Sequence, residues 1–174
     1  METQSNYFLK TERLGFRVWT KDNLPLALAL WGNADVTRLI GGPFSEQQVG
    51  TRLAKEIDNL RAHGVQYWPV FLLGGGEFAG CCGLRPRNPE KGIYELGFHF
   101  RAEHWGKGYA GESGRAVVAH AFDALRARGL FAGHHPDNAA SQRVLEKLGF
   151  QFTHEELYPP TGRMHRCYFL EAPR

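Results

Sequence analysis

A glycine-rich segment in the second half of the chain has the composition of a phosphate-binding loop. Residues 101–111 read RAEHWGKGYAG and lie between a strand-like run and an amphipathic helical pattern. Glycines allow the backbone to turn sharply and to pass close to a ligand. The following helix would direct unpaired N–H groups and the positive end of its dipole at the loop. This combination predicts a site for a phosphate or pyrophosphate group.

The run from Gly106 to Gly111 also matches the G-x-G-x-x-G pattern of nicotinamide dinucleotide sites, which is weak evidence by itself. A dinucleotide site needs its glycines close to the first strand and an acidic residue about 20 positions later. Here the strand-like run ends near Phe100, several residues early, and residues 130–135 carry no carboxylate. A dinucleotide site and a glycine-rich turn without a ligand are therefore the minor alternatives.

A second motif, NAASQRVLEKLGF, occupies residues 138–150. Together with the run WGKGYA at residues 105–110, it resembles the GNAT superfamily of acyl-coenzyme A dependent N-acetyltransferases. The closer similarity is to the branch of ribosomal-protein N-terminal acetyltransferases, and it covers nearly the whole chain. The resemblance implies transfer of acetyl from acetyl-CoA to a primary amine by direct attack, the amine belonging to a peptide N-terminus or a small molecule. The alternative is a coenzyme A binding module without catalysis.

The resemblance also implies where coenzyme A binds, namely in a gap where two predicted strands, residues 93–100 and 129–133, separate. The pantetheine arm would bond to the backbone of the first strand, and the pyrophosphate would bond to the loop. The residues implicated are Phe98, His99, Phe100, Arg101, Trp105, Gly106, Lys107, Gly108, Tyr109 and Ala110. The side chains of Arg101 and Lys107 are the candidate phosphate partners. Asn138 is implied as a partner of the pantetheine amides, with helix capping as its alternative role.

Glu95 is the candidate general base. On its strand, Glu95, Gly97 and His99 face one way while apolar residues face the other. A carboxylate flanked by apolar residues is partly desolvated, which favours a raised pKa suited to accepting a proton. The alternative is a structural glutamate with an arginine or backbone partner.

Ser141 is the second candidate catalytic residue. It shares a helical face with Val144, Leu145 and Leu148, which predicts that its hydroxyl points inward and needs a partner. Many relatives carry a tyrosine on this helix as general acid, and that position corresponds to Leu145 here. Ser141 is the candidate substitute, in contact with the thioester sulfur. Its alternative partner is the preceding turn of its own helix.

The remaining pattern predicts one domain, residues 1–174, of the α/β (α+β) class. Three consecutive strand patterns with short connections predict antiparallel pairing, and a strand-helix-strand unit follows. We expect a mixed, mostly antiparallel sheet of about six or seven strands with helices on both faces. Its functional parts would be the phosphate loop with its helix (101–128), the second motif (136–150) and two acceptor loops (31–44 and 156–166).

Composition argues against several other classes of protein. The formal net charge is +3, and the Lys and Arg residues are scattered, which disfavours a nucleic-acid partner. No apolar run approaches the roughly 18 residues of a membrane span. The polar N-terminus, Met1–Asn6, and three cysteines without a disulfide framework favour a cytoplasmic protein. No Cys or His pair has the spacing of a metal site, so no metal is expected. The partner that the resemblance implies is an amine acceptor, and the expected state is a monomer or homodimer.

Overall fold

Eight strands form one sheet in the computed structural model, which describes residues 6–174. The strands are β1 (Leu9–Lys10), β2 (Leu14–Phe16), β3 (Tyr67–Leu72), β4 (Phe78–Asn88), β5 (Ile93–Phe100), β6 (Gly129–His134), β7 (Gln151–Tyr158) and β8 (Arg163–Glu171). The α-helices are α1 (Leu24–Trp31), α2 (Ala34–Thr37), α3 (Glu46–His63), α4 (Tyr109–Asp123) and α5 (Ala139–Lys147). Across the sheet the order is β1-β2-β3-β4-β5-β6-β8-β7. Of the pairs in the described residues, β5–β6 is parallel and the others are antiparallel.

Helices pack on both faces of the sheet. On one face α4 and α5 contribute to a core that includes Trp68, Leu96 and Leu130. On the other face α1 and α3 pack over a second core that includes Trp31 and Phe78. No helix in residues 6–174 has the length and apolar character that a membrane crossing requires.

Helix α3 begins and ends at residues whose types favour helix caps. The Ser45 hydroxyl accepts a hydrogen bond from the Gln48 N–H (3.2 Å), and the Gln48 side chain accepts one from the Ser45 N–H (2.9 Å). The helix stops at Gly64, whose φ of 71° lies in the left-handed region that favours glycine. Its buried face includes Val49, Leu53 and one carboxylate.

That carboxylate belongs to Glu56, whose side chain is 0% exposed. One of its oxygens accepts a hydrogen bond from the Tyr67 N–H (2.8 Å), and the other accepts from Nε of Arg85 (2.7 Å). The Gln66 side chain donates to the backbone carbonyl of Glu56 at 3.0 Å. These bonds fasten α3 to β3 and β4.

The expected fold class is confirmed, with one strand more than the upper expectation. The short strand β1, only two residues long, is below the length at which an alternating pattern can be recognised. Two expected loops are partly regular, because residues 31–44 contain α2 and residues 156–166 contain the end of β7 and the start of β8. Strand β7 is largely exposed at the edge of the sheet. Of the N-terminal segment considered above, residues 1–5 lie outside the described residues.

Replacing Glu56 should strongly destabilise the fold. Glu56→Ala leaves the partly buried Arg85 charge and the Tyr67 N–H without their partner, which should lower the free energy of unfolding by about 3–5 kcal/mol. The measurement is equilibrium denaturation in urea. The control Asp58→Ala removes an exposed carboxylate from the same helix and should change the value by less than about 0.5 kcal/mol. A loss below about 1 kcal/mol for Glu56→Ala would show that this ion pair does not hold α3.

Candidate active site

A cavity of about 110 Å³ lies where β5 and β6 separate. The strands pair over Ile93–Glu95 of β5 and then part, although β5 continues to Phe100 and β6 to His134. The walls come from β5, β6, α5 and both predicted acceptor loops, with Arg52 of α3, Tyr67 of β3 and Arg85 of β4. The separation expected between the two central strands is therefore present, and residues of the second motif line the space between them.

The backbone direction of β5 determines which of its groups face this gap. The Arg101 N–H donates to the Ala79 carbonyl beside β4 at 2.9 Å. Because backbone groups alternate in direction along a strand, His99 also faces β4, while Phe98 and Phe100 face the gap. Of the three residues expected to bond a pantetheine arm, His99 therefore contributes its ring to the cavity wall instead of its backbone.

The phosphate loop has the conformation its glycines suggest. Gly106 and Gly108 have φ of 72° and 80°, in the left-handed region. Gly108 is the N-cap of α4, and no side chain in the described part of the chain caps this helix. The first N–H groups, from Tyr109 onwards, therefore remain directed at the loop. A Cβ placed on Gly106 would meet nothing within 4 Å, which leaves the space beside the loop open. The indole of Trp105 donates to the Phe100 carbonyl (2.8 Å) and ties the loop to β5.

The two expected phosphate partners differ in their surroundings. Arg101 donates to the Phe78 carbonyl (3.0 Å) and lies 2.6 Å from the Glu103 carboxylate. Its charge is thus committed to holding the start of the loop. Lys107 is exposed, and within residues 6–174 it forms no ion pair. Lys107 is therefore the better candidate for a side-chain contact with a phosphate.

Arg13 is a cation near the loop that sequence reasoning missed. Its guanidinium lies over the Tyr109 ring (4.6 Å to the centroid), and its Nε donates to Glu112 at 2.7 Å. Burial would raise the pKa of Glu112, but hydrogen bonds from Thr11 and Arg13 outweigh burial and hold that pKa below its ordinary value. A carboxylate in the first turn of α4 would repel a phosphate, and these bonds offset its charge.

Glu95 lines the cavity with few partners. The Tyr67 hydroxyl donates to it over 3.5 Å, and Nη1 of Arg87 lies 3.9 Å away. Burial raises the pKa of Glu95 above its ordinary value, and the opposing effects of Arg85, Arg87 and the Tyr67 hydrogen bond do not cancel it. These long contacts differ from the short bonds of Glu56, which is the structural glutamate of this region.

Gly97 makes room for the side chain next to Glu95. A Cβ on Gly97 would collide with the ring of Tyr67, so the glycine lets this ring lie against β5. Burial raises the pKa of Tyr67 well above its ordinary value, and the nearby Glu95 raises it further. The tyrosine therefore stays protonated and serves as a hydrogen-bond donor.

His99 lies on the same face of β5 as Glu95. Its Nδ1 accepts a hydrogen bond from Nε1 of Trp31 at 3.1 Å. Burial lowers the pKa of His99 to about 3, with the charges of Arg52 and Arg85 acting in the same direction. The ring is neutral at physiological pH and carries its proton on Nε2.

Helix α5 brings the second motif to the cavity. The Asn138 side chain accepts a hydrogen bond from the Ser141 N–H (3.0 Å), so the capping role is present. Capping uses the amide oxygen and leaves the NH₂ group, and Asn138 also lines the cavity. The Ser141 hydroxyl lines the cavity too, and within residues 6–174 it makes no hydrogen bond to its own helix. Leu145, 2% exposed, occupies the wall beside it.

Histidines at the end of β6 and in β8 form a further part of the wall that the sequence did not single out. His134 Nδ1 lies 2.7 Å from the His135 carbonyl, and its Nε2 lies 3.2 Å from the Tyr168 hydroxyl. Burial lowers the pKa of His134. Burial and the neighbouring histidines lower the pKa of His165 to about 4. The only sequence signal was a polar pair directly after a buried strand.

Both expected acceptor loops reach the cavity. Leu39 and Ile40 line it from one loop, and Tyr158 and His165 line it from the other. The loops also touch, because a Cβ on Gly41 would lie 2.7 Å from the Pro160 carbonyl. They form a common wall over the space in front of Glu95.

Two groups of side chains in the described residues have ligand atoms close enough to share a metal ion. They are Glu77, Glu103 and His104, and His154, Glu156 and Cys167. Neither group lines the cavity.

Comparison with known proteins gives a consistent assignment. Residues 13–151 match the family described as acetyltransferase (GNAT) domain. The chain is 31% identical over 147 residues to the uncharacterized protein YkkB of Bacillus subtilis, covering 83% of this chain and 86% of YkkB. It is 27% identical over 145 residues to the uncharacterized N-acetyltransferase p20 of Bacillus licheniformis, covering 82% of each chain. A solved structure of RimL, a ribosomal L7/L12 alpha-N-protein acetyltransferase in complex with coenzyme A, has a TM-score of 0.81 at 18% identity, covering 96% of this chain and 98% of RimL.

The chain therefore belongs to the GNAT acetyltransferase family. It is an N-acetyltransferase, and its family implies acetyl transfer from acetyl-CoA. The resemblance seen in the two sequence motifs is confirmed.

Gly108→Val should abolish most coenzyme A binding while preserving the fold. An added Cβ would meet only Arg13 Nη2, at 3.6 Å, but the branched side chain would cover the N-terminal N–H groups of α4. We expect at least a tenfold loss of coenzyme A affinity by calorimetry, because the loop assignment gives the anion contact to these backbone N–H groups. Gly64→Val is the matched control: it has a similar φ of 71° and open surroundings, so it imposes comparable strain away from the loop. Wild-type affinity in Gly108→Val would contradict the loop assignment.

Proposed function

We propose that the protein transfers the acetyl group of acetyl-CoA to a primary amine by direct attack of the amine on the thioester. The acceptor is a small molecule or a peptide N-terminus. The observation that carries this proposal is the position of Glu95, a carboxylate of raised pKa in the wall where β5 and β6 part. A base beside the gap is what removal of a proton from the attacking amine requires.

The residues around the gap fit coenzyme A. The backbones of Phe98 and Phe100 face the gap, where the pantetheine arm would bond like an additional strand. The N–H groups of residues 106–110 would hold the pyrophosphate, with Lys107 beside them. The NH₂ group of Asn138 is available to a pantetheine amide. Acetyl-CoA supplies the activated acetyl group as a thioester.

Glu95 would act on the acceptor. As the amine nitrogen bonds to the acetyl carbon, the carbon–sulfur bond breaks and the nitrogen loses a proton to the Glu95 carboxylate. Holding both reactants in one cavity supplies much of the rate enhancement, because it replaces a bimolecular encounter. Backbone N–H groups of β5 that face the gap would polarise the thioester carbonyl.

Ser141 is assigned to the leaving thiol. Leu145, at the position of the tyrosine acid in many relatives, has no proton to donate, whereas the neighbouring Ser141 hydroxyl does. A hydroxyl with a pKa far above 7 is a poor acid, so Ser141 would mainly orient the sulfur while water delivers the proton. The effect of removing it should be smaller than that of removing the base.

Glu95→Gln should lower kcat by roughly 10²–10⁴-fold with nearly unchanged coenzyme A affinity, because the amide cannot accept the proton. Glu95 works as a base only when ionised. The wild-type rate should therefore fall as pH drops through the raised pKa of Glu95, and the variant should lack this acidic limb. Glu90→Gln is the control, since Glu90 is an exposed carboxylate between β4 and β5, outside the cavity. An unchanged pH profile in Glu95→Gln would assign the proton to another group.

Tyr67→Phe should move the acidic limb to higher pH. The Tyr67 hydroxyl donates to Glu95 and lowers its pKa, so removing that bond should raise the pKa further. The rate at neutral pH should fall, and it should recover at alkaline pH. Tyr94→Phe, next to Glu95 in sequence but on the opposite face of β5, should leave the limb in place. If the acidic limb of the pH–rate profile does not move, or moves to lower pH, the Tyr67 hydroxyl does not lower the pKa of the base.

Thiol release tests the proposed function directly. Acetyl-CoA is incubated with the protein and a panel of amines that includes peptides, aminoglycosides, polyamines and amino acids, and free thiol is measured. We expect release that depends on one class of amine and equals the N-acetyl product formed. Coenzyme A binding without amine-dependent thiol release would instead favour a non-catalytic binding module. This module is the second candidate because Leu145 stands where many relatives carry the tyrosine acid.

A further inference from the structure

Arg52 occupies a position that the proposed chemistry does not use. It lies on α3 and lines the cavity in front of Glu95. It also lines an adjoining groove of about 420 Å³ along α3. Arg85 is the other residue common to both walls. Arg52 therefore lies where a molecule entering along α3 would reach the base.

The Arg52 guanidinium is held by aromatic rings. Its Cζ lies 4.8 Å from the centroid of Phe44 and 5.3 Å from that of Trp31. Contacts of this kind fix the plane of the group and leave its N–H donors at the edge. Within residues 6–174, Arg52 takes part in no ion pair and donates no hydrogen bond. A group so ordered, with all five donors unused, is prepared for a ligand.

The other charges around the cavity are largely offset by neighbours. Arg85 is paired with the buried Glu56, and Glu95 has Arg87 at 3.9 Å. Arg52 is left as the cation without an anionic partner in the walls of the cavity. The adjoining groove adds Lys55, and no carboxylate among the described residues lines it. The approach to Glu95 therefore attracts an anion.

Burial adds to this imbalance. Burial, followed by the positive charge of Arg85, lowers the pKa of Arg52 below its ordinary value. An arginine nevertheless remains protonated at neutral pH. A partly buried cation without a counter-ion is unfavourable, and a bound anion would relieve that cost.

We propose that the acceptor amine also carries a carboxylate, and that Arg52 binds this carboxylate while the amine faces Glu95. This inference rests on the proposed acetyl transfer and names its substrate class. The carboxylate can belong to a free amino acid or to the side chain of an acidic N-terminal residue in a peptide. In both cases a planar, two-oxygen anion meets the fork of a guanidinium.

Matched acceptors test the proposal and separate the two sources. The free pairs are L-alanine with L-alaninamide and L-phenylalanine with L-phenylalaninamide. The peptide pair is Asp-Ala-amide with Asn-Ala-amide. Values of kcat/KM are compared per neutral amine, since a carboxylate changes the pKa of the neighbouring amine. The wild-type protein should prefer the carboxylate member of at least one pair by tenfold or more, and the pair that responds identifies the source.

Three variants assign that preference to Arg52. Arg52→Met keeps an apolar stem against Trp31 and Phe44. Its kcat/KM for the carboxylate member should fall about 10- to 100-fold, with little change in kcat/KM for the amide partner. Arg52→Lys keeps the charge without the forked guanidinium, so its preference for the carboxylate member should lie between those of the wild-type and Arg52→Met proteins. Arg61→Met removes an exposed cation from the same helix and should behave as wild type. Thermal unfolding and coenzyme A affinity confirm that each variant is folded.

A binding arm keeps this inference independent of turnover. The ligands are N-acetyl-L-alanine, N-acetyl-L-phenylalanine and N-acetyl-Asp-Ala-amide, each paired with the compound in which an amide replaces the carboxylate. Each ligand is titrated into the coenzyme A complex of the wild-type and Arg52→Met proteins. If a carboxylate form binds the wild-type protein more tightly than its amide, and Arg52→Met loses this difference, the proposal is supported. This holds even if no amine releases thiol, because that result would overturn only acetyl transfer. Equal affinity for both members of every pair, or equal losses for both in Arg52→Met, would overturn the role of Arg52.

Discussion

The separation of β5 from β6 after Glu95 is the constraint on which the rest of this structure depends. Backbone N–H and C=O groups inside a sheet must find partners, and strands that part leave such groups without a neighbouring strand. In this protein the groups of Phe98 and Phe100 face the gap. The surrounding elements converge on it: the Trp105 indole brings the phosphate loop to one end, and α5 closes its side.

The two faces of the sheet supply different parts of the site. The face under α4 and α5 contributes the phosphate loop and the second motif, to which the proposal gives the binding of coenzyme A, mainly through backbone groups. The face under α1 and α3 contributes the ionisable groups. There the buried Glu56 engages Arg85 and the backbone of Tyr67 through short hydrogen bonds. Because Glu56 takes the stronger bonds of Arg85, Glu95 keeps only long contacts and a raised pKa, which suits the role of base proposed for it.

Local sequence predicted those parts of the fold that local interactions determine. The cap at Ser45, the stop at Gly64 and the limits of β5 follow from neighbouring residues, as do the left-handed glycines of the phosphate loop. Candidate site residues could be named where a motif marks them or, for Glu95, where the alternation of a strand does. Tyr67, Arg52 and the β6 histidines reach the cavity through long-range packing. No periodic pattern shows that Glu56, and not Glu95, is the carboxylate that Arg85 holds.

Amide hydrogen exchange tests the central claim that coenzyme A fills the gap in the sheet. Exchange rates of the Phe98 and Phe100 N–H protons are measured with and without saturating coenzyme A. The account predicts that one or both slow markedly on binding, while the His99 N–H, which faces β4, keeps its rate. Saturation of the protein with coenzyme A without any change at Phe98 and Phe100 would contradict it.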